Sequence, residues 1–123
     1  MPQKPISQAE WEVLNVLWDH PNATAREVHE ILAVSKEWNP KTVGTFLARL
    51  VEKGMVSMRT DSRPFLYRAR ASREKSITRE SESFLKRIFR GAAGPMLAHF
   101  CEQTELTPKE IARLEEILRR KKG

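Results

Sequence analysis

The stretch that decides the fold is Trp38-Asn39-Pro40-Lys41-Thr42-Val43-Gly44-Thr45-Phe46-Leu47-Ala48-Arg49-Leu50-Val51-Glu52-Lys53-Gly54, with Met55-Val56-Ser57-Met58-Arg59 after it. Asn39 is a capping residue, and Pro40 stands at the first helical position, where its missing N–H is no loss. Val43, Phe46, Leu47, Leu50 and Val51 then recur at helical spacing and share one face. Gly54 stops the helix, because glycine readily takes the backbone that closes one. Beyond it the apolar period drops to two. Val56 and Met58 alternate with Ser57 and Arg59, Asp61-Ser62-Arg63-Pro64 makes a turn, and Phe65 and Tyr67 alternate with Leu66 and Arg68. That pattern predicts a hairpin of two short strands, with Pro64 tolerated near a strand start or on an edge.

Working outward, Ser7-Gln8-Ala9-Glu10 is a capping box ahead of the stripe Trp11, Val13, Leu14, Leu17 and Trp18, which ends at His20-Pro21-Asn22. Thr24-Ala25-Arg26-Glu27 is a second box, ahead of Val28, Ile31 and Leu32. Downstream, Ser72 caps a helix whose stripe is Ile77, Ser81, Phe84, Leu85, Ile88 and Phe89. Gly91-Ala92-Ala93-Gly94-Pro95 interrupts it, and Met96, Leu97 and Phe100 predict a short helix over 95–103. Thr107-Pro108-Lys109-Glu110 starts a last helix carrying Ile111, Leu114, Ile117 and Leu118, and Arg119 to Lys122 lie at the negative end of its dipole. The expected architecture is mainly α with a small β-wing. A winged helix-turn-helix domain occupies residues 1–71 and a helical dimerisation segment residues 72–123. Trp11, Trp18, Phe46, Phe65 and Tyr67 lie on amphipathic elements, so core roles are expected rather than base stacking. Trp38 is expected to pack onto the third helix.

The charge is uneven. Residues 36–70 carry Lys36, Lys41, Arg49, Lys53, Arg59, Arg63, Arg68 and Arg70 against Glu37, Glu52 and Asp61, whereas residues 1–35 are net acidic. A localised phosphate-binding face would give this distribution, and so would ordinary surface scatter. Cys101 is the sole cysteine, which excludes a disulfide within the chain and a cysteine metal cluster. No secretory leader and no apolar run of membrane-spanning length is present, so a cytoplasmic location without membrane insertion is expected. His20, His29 and His99 fall on separate elements, with no nucleophile elbow, phosphate loop or zinc-binding pair. No enzyme activity, cofactor or metal is expected.

In a winged helix the third helix enters the major groove. Its outward face, by subtraction from the apolar stripe, is Lys41, Thr42, Gly44, Thr45, Ala48, Arg49, Glu52 and Lys53. Lys41, Thr42, Gly44 and Thr45 lie at the end that meets base edges, where threonine can donate, accept or touch a thymine methyl. Two roles fit Gly44, close approach to DNA or relief of packing against another helix. Arg49, Lys53, Arg59 and Arg63 are the expected phosphate contacts, with Arg63 at the wing tip, where the alternative is a solvated turn charge. The last three helices carry more apolar side chains than about 50 residues can hide. Phe84, Leu85, Ile88, Leu97, Phe100, Leu114, Ile117 and Leu118 are therefore expected to pack between two chains, giving a homodimer that reads a dyad on double-stranded DNA.

The segments Ser7-Gln8-Ala9-Glu10-Trp11-Glu12-Val13, Trp38-Asn39-Pro40-Lys41-Thr42-Val43 and Leu47-Ala48-Arg49-Leu50-Val51-Glu52-Lys53-Gly54, with Tyr67 and Ser83-Phe84-Leu85, resemble the penicillinase-repressor family of bacteria, the BlaI/MecI group. The resemblance runs over nearly the whole length. It implies a dimeric winged-helix repressor of a resistance or stress operon, relieved through an integral-membrane sensor metalloprotease. It also implies proteolysis within the dimerisation segment. The family's scissile Asn-Phe pair falls on His99-Phe100, where Phe100 matches and His99 does not. A sister group of copper-responsive repressors carries Cys-x-Cys near the C-terminus. This chain has Cys101 alone, and His99, two residues away, points to a different side of a helix. A sequence-specific repressor is the leading expectation. The alternative is a winged-helix protein-interaction module that does not bind DNA, which would have no use for a basic middle.

Overall fold

The computed structural model describes residues 5–123, so the first four residues of the domain expected over 1–71 lie outside the described residues. The elements run α1 (Gln8–Asp19), β1 (Ala23–Thr24), α2 (Ala25–Leu32), α3 (Pro40–Glu52), β2 (Val56–Arg59), β3 (Leu66–Ala69), α4 (Arg73–Phe89), α5 (Ala93–Gln103) and α6 (Pro108–Lys122). The fold is mainly α with a small antiparallel sheet, as the sequence implies.

The helix starts rest on the caps read from the sequence. Ser7 Oγ accepts from the Glu10 amide at 3.1 Å while Glu10 Oε1 accepts from the Ser7 amide at 2.9 Å. Thr24 with Glu27, and Thr107 with Glu110, repeat the arrangement. Asn39 Oδ1 accepts from the Thr42 amide at 2.8 Å. At the far end of α3, the Gly54 amide donates to the Val51 carbonyl and the Met55 amide to the Leu50 carbonyl, with Gly54 at φ +78°. This paired closure satisfies two carbonyls the helix would leave bare, and it needs a left-handed residue where a side chain is disfavoured. α5 begins at Ala93, ahead of the expected start at Pro95. Pro95 is accommodated because the first-turn amides have no intrahelical acceptor.

Val13, Leu14 and Leu17 of α1 meet Val28 and Leu32 of α2, Val43, Leu47 and Leu50 of α3, and Val56 of β2 in one core. Trp11 and Trp18 pack edge to face at 5.5 Å, and Trp38 and Phe46 at 5.1 Å. Trp11, Trp18 and Phe46 line the core, as the helical spacing implies, and Trp38 packs onto α3 through Phe46.

The sheet differs from the expected two-stranded hairpin. Its order is β1-β3-β2, and β1 adds a third strand with Ala23 opposite Tyr67 and Thr24 opposite Leu66. A two-residue strand has no periodicity to read, and Thr24 already serves as the cap of α2. The alternation expected along β2 also stops early: Val56 is buried, but Ser57, Met58 and Arg59 are exposed. β2 is an edge strand, and only its first residue reaches the core.

The chain divides into two compact units, one ending at Ile77 and the other beginning at Thr78. This lies inside α4, a few residues beyond the boundary of 71 and 72 expected where the hairpin gives way to helices, and the first turn of α4 belongs to the N-terminal unit. Trp18 Nε1 donates to the Ala71 carbonyl at 2.9 Å, and Arg73 pairs with Asp19 at 2.8 Å. In the C-terminal unit the Phe84 ring stacks on Phe100 at 6.0 Å and lies 6.0 Å from Phe89. Neither α5 nor α6 has a buried residue. Among the described residues no helix is long and apolar enough to cross a membrane.

Candidate nucleic-acid interface

The apolar face of α3 is consumed by the core, with Val43, Leu47 and Leu50 buried and Phe46 and Val51 packed against them. This orientation leaves Lys41, Thr45, Ala48, Arg49 and Glu52 exposed along the opposite face, with Thr42 and Gly44 half-buried beside them. Thr45 Oγ1 donates back to the Lys41 carbonyl at 3.1 Å, so its free functions are the hydroxyl lone pairs and the methyl. A Cβ placed on Gly44 would meet nothing within 4 Å. Relief of packing within the chain therefore does not account for this glycine. A mid-helix glycine costs about 1 kcal/mol relative to alanine.

Lys53, expected among the phosphate contacts, is engaged elsewhere. Its Nζ donates to Glu10 Oε1 at 2.6 Å and to the Pro5 carbonyl at 2.8 Å. Its side chain is 15% exposed and that of Glu10 only 2%. Burial pushes the Glu10 carboxyl up, but the Lys53 ammonium and the Ser7 amide and hydroxyl outweigh it and hold the group below its ordinary value. Lys53 thus ties the end of α3 to the start of α1. The same carboxylate completes the Ser7 capping box, a double duty that sequence spacing does not reveal.

On the hairpin, Arg59 Nε donates to Asp61 Oδ1 at 2.7 Å, and the pair stays largely exposed. The guanidinium holds the Asp61 carboxyl below its usual range. Arg63 lies over the Phe65 ring at 4.9 Å from its centroid, which supports the guanidinium in one orientation at the turn while leaving its edge in solvent. Lys41, Arg49, Arg59 and Arg63 are therefore accessible cations of the N-terminal unit, and Lys53 is not.

The residues expected in the dimer contact are placed in the C-terminal unit as follows. Phe84, Leu85 and Ile117 are half-buried, while Ile88, Leu97, Phe100, Leu114 and Leu118 are exposed, Ile88 and Leu118 each at 57%. His99 and Phe100 lie within α5, both exposed, with the His99 ring 6.2 Å from Phe89. The Cys101 thiol is free and exposed. Among the described residues no group of three or more His, Cys, Asp or Glu side chains is placed to hold a metal. Sequence reading passes over Arg73, whose partners Asp19 and Trp18 lie more than fifty positions away and leave no local signal.

The penicillinase-repressor family profile matches residues 6–120. The methicillin resistance regulatory protein MecI of Staphylococcus aureus (strain N315) is 32% identical over 116 residues, covering 94% of each chain. The penicillinase repressor of Bacillus licheniformis is 36% identical over 118 residues, covering 96% of this chain and 92% of that one. The solution structure of the monomeric form of BlaI from Bacillus licheniformis, in complex with the blaP half-operator, covers 59% of this chain and 89% of its own, at 34% identity and a TM-score of 0.52. The winged-helix architecture, the caps that build it and a match spanning both units converge: the chain belongs to the penicillinase-repressor family.

Proposed function

We propose that this chain is a sequence-specific DNA-binding transcriptional repressor, acting as a homodimer on a dyad operator. The observation that carries the reading is the outward face of α3, where Lys41, Thr45 and Arg49 surround a glycine with open space above it. The relative bound to a half-operator supports the same assignment. Lys41, Thr42, Gly44 and Thr45 meet base edges in the major groove, while Arg49, Arg59 and Arg63 contact phosphate. Lys53 acts by holding α3 against α1. Phe84, Leu85, Ile88, Leu97, Phe100, Leu114, Ile117 and Leu118 form the contact between two chains, because one chain leaves most of them in water.

Induction by a sensor protease cutting at His99-Phe100 fits the weakness of α5. That helix has no buried residue, and Ala92 at its start supplies no side-chain cap. It is therefore the helix most open to local unfolding, which a protease needs before it can bind an extended peptide.

Titrating duplexes with the protein at two salt concentrations tests the proposal. A dyad duplex selected by the protein from a random library should bind, with affinity falling steeply as salt rises. Arg63→Ala should weaken binding to all duplexes and lower the salt slope by about one, whereas Thr45→Ala should relax sequence preference. Identical effects of the two changes would refute the division of roles. No binding to any duplex at low salt would leave the protein-interaction alternative.

A further inference from the structure

The alternation along the hairpin assigns Phe65 to the core, but the structure gives it another neighbour. Among the described residues that pack against the core of the N-terminal unit, Tyr67 is present and Phe65 is not. The Phe65 ring instead carries the Arg63 guanidinium, 4.9 Å from the ring centre. Arg63 is exposed and Phe65 half-buried, so the ring forms the base and the cation faces solvent. Among the described residues no carboxylate pairs with Arg63. The base is firm. Phe65 directly precedes Leu66, the first residue of β3, which lies opposite Arg59 of β2 on one side and Thr24 of β1 on the other. The turn that carries Arg63 is braced as well. Ser62 Oγ donates to the Pro64 carbonyl at 3.3 Å, and Arg59 Nε donates to Asp61 Oδ1 at 2.7 Å.

We propose that Phe65 is a positioning residue for DNA binding: its ring holds the Arg63 guanidinium at the wing tip, ordered before the duplex arrives. A guanidinium is flat and donates its hydrogen bonds from its edge. Stacking one face on a ring therefore leaves those donors free for a phosphate. The ring attracts the cation through its negative face without neutralising it, as a carboxylate would. Arg63 thus keeps its full charge and a set direction, whereas Arg59 shares its charge with Asp61. A long side chain gives up rotamer freedom when it contacts DNA, and one ordered beforehand has less to give up. Phe65 itself touches no phosphate. It strengthens the Arg63 contact and leaves the number of counterions released unchanged. This role rests on the phosphate contact given to Arg63 above.

The test measures binding of the full chain to a duplex carrying the selected half-site, by fluorescence anisotropy over a salt series. Phe65→Leu and Phe65→Met, apolar replacements without a ring face, should weaken binding about two- to fivefold at every salt concentration, the worth of one exposed cation–ring contact. The salt slope should stay at its wild-type value, whereas Arg63→Ala lowers it by about one. Phe65→Tyr, which keeps the face, should bind as wild type does. In an Arg63→Ala background none of these changes should matter, since the ring then has nothing to hold. Wild-type affinity in both Phe65→Leu and Phe65→Met would overturn the role. So would an equal loss with and without Arg63, because Phe65 would then act through the fold or touch DNA itself. Wild-type affinity and slope in Arg63→Ala would remove Arg63 from the contact and the ring's role with it, while binding through α3 would stand. Absence of duplex binding by wild type would instead sink the DNA reading as a whole.

Discussion

At the scale of single residues, Lys53 shows how chemistry and position part company. A lysine near the end of a recognition helix reads as a phosphate contact, yet this one spends its charge inside the protein on Glu10 and the Pro5 carbonyl. Removing one partner of a buried pair strands the other, so Lys53→Ala should destabilise the fold by about 3–5 kcal/mol in urea unfolding. The salt slope of DNA binding should not change, unlike that of Arg63→Ala. The pair also predicts unequal responses to acid. With its folded value depressed, Glu10 contributes stability that is full above its ordinary 4.5 and is lost as pH falls through the lower folded value. In Lys53→Ala the lowering by the ammonium is gone and the Ser7 hydrogen bonds alone oppose burial, so the depression of Glu10 shrinks and the variant loses less stability on acidification. The stability gap between wild type and variant should narrow as pH falls through 4.5, and a gap that widened would refute the pairing as the source of the shift.

At the scale of elements, caps made most helices legible and geometry refined them. Ser7, Thr24, Asn39 and Thr107 each accept the amide that the sequence pattern assigns to them, because a cap is a local bond between residues three apart. β1 escaped notice, since its pairing with β3 spans more than forty positions and its two residues carry no period. If α3 reads DNA as proposed, Gly44 sets stability against function within that helix. Alanine there should stabilise the fold by up to about 1 kcal/mol, because the added methyl meets nothing within 4 Å. The same methyl should weaken operator binding. If Gly44→Ala bound DNA as tightly as wild type, close approach would be the wrong account of this glycine. α5 offers a second test. Thermolysin, which cuts ahead of large apolar residues, should make its earliest cut within Ala93–Gln103, read by mass spectrometry. First cuts in α6 or in the hairpin would remove the weakness assigned to α5.

At the scale of the whole molecule, two units of different character share one helix. The N-terminal unit closes its own core around Leu14, Leu17, Leu47 and Leu50, whereas no residue of α5 or α6 is fully buried in a single chain. In the proposed homodimer a second copy covers these side chains and receives the same surface in return. Leu118→Asp should shift sedimentation velocity toward monomer and weaken binding to the dyad more than to the half-site. An unchanged sedimentation coefficient would take Leu118 out of the contact.

Local rules were enough to determine the order of helices, the caps that start them, the hairpin, the core stripe of α3 and, by subtraction, its outward face. Each of these depends on residues within a turn or two of one another, where spacing alone dictates which side chains meet. Tertiary structure alone decided that Lys53 and Arg73 are engaged. Lys53 is lost to Glu10 across 43 positions and Arg73 to Asp19 across 54, and no period or motif connects them. An ion pair is chosen by distance in space, and only the packing of α1 against α3, and of α1 against the first turn of α4, creates that proximity.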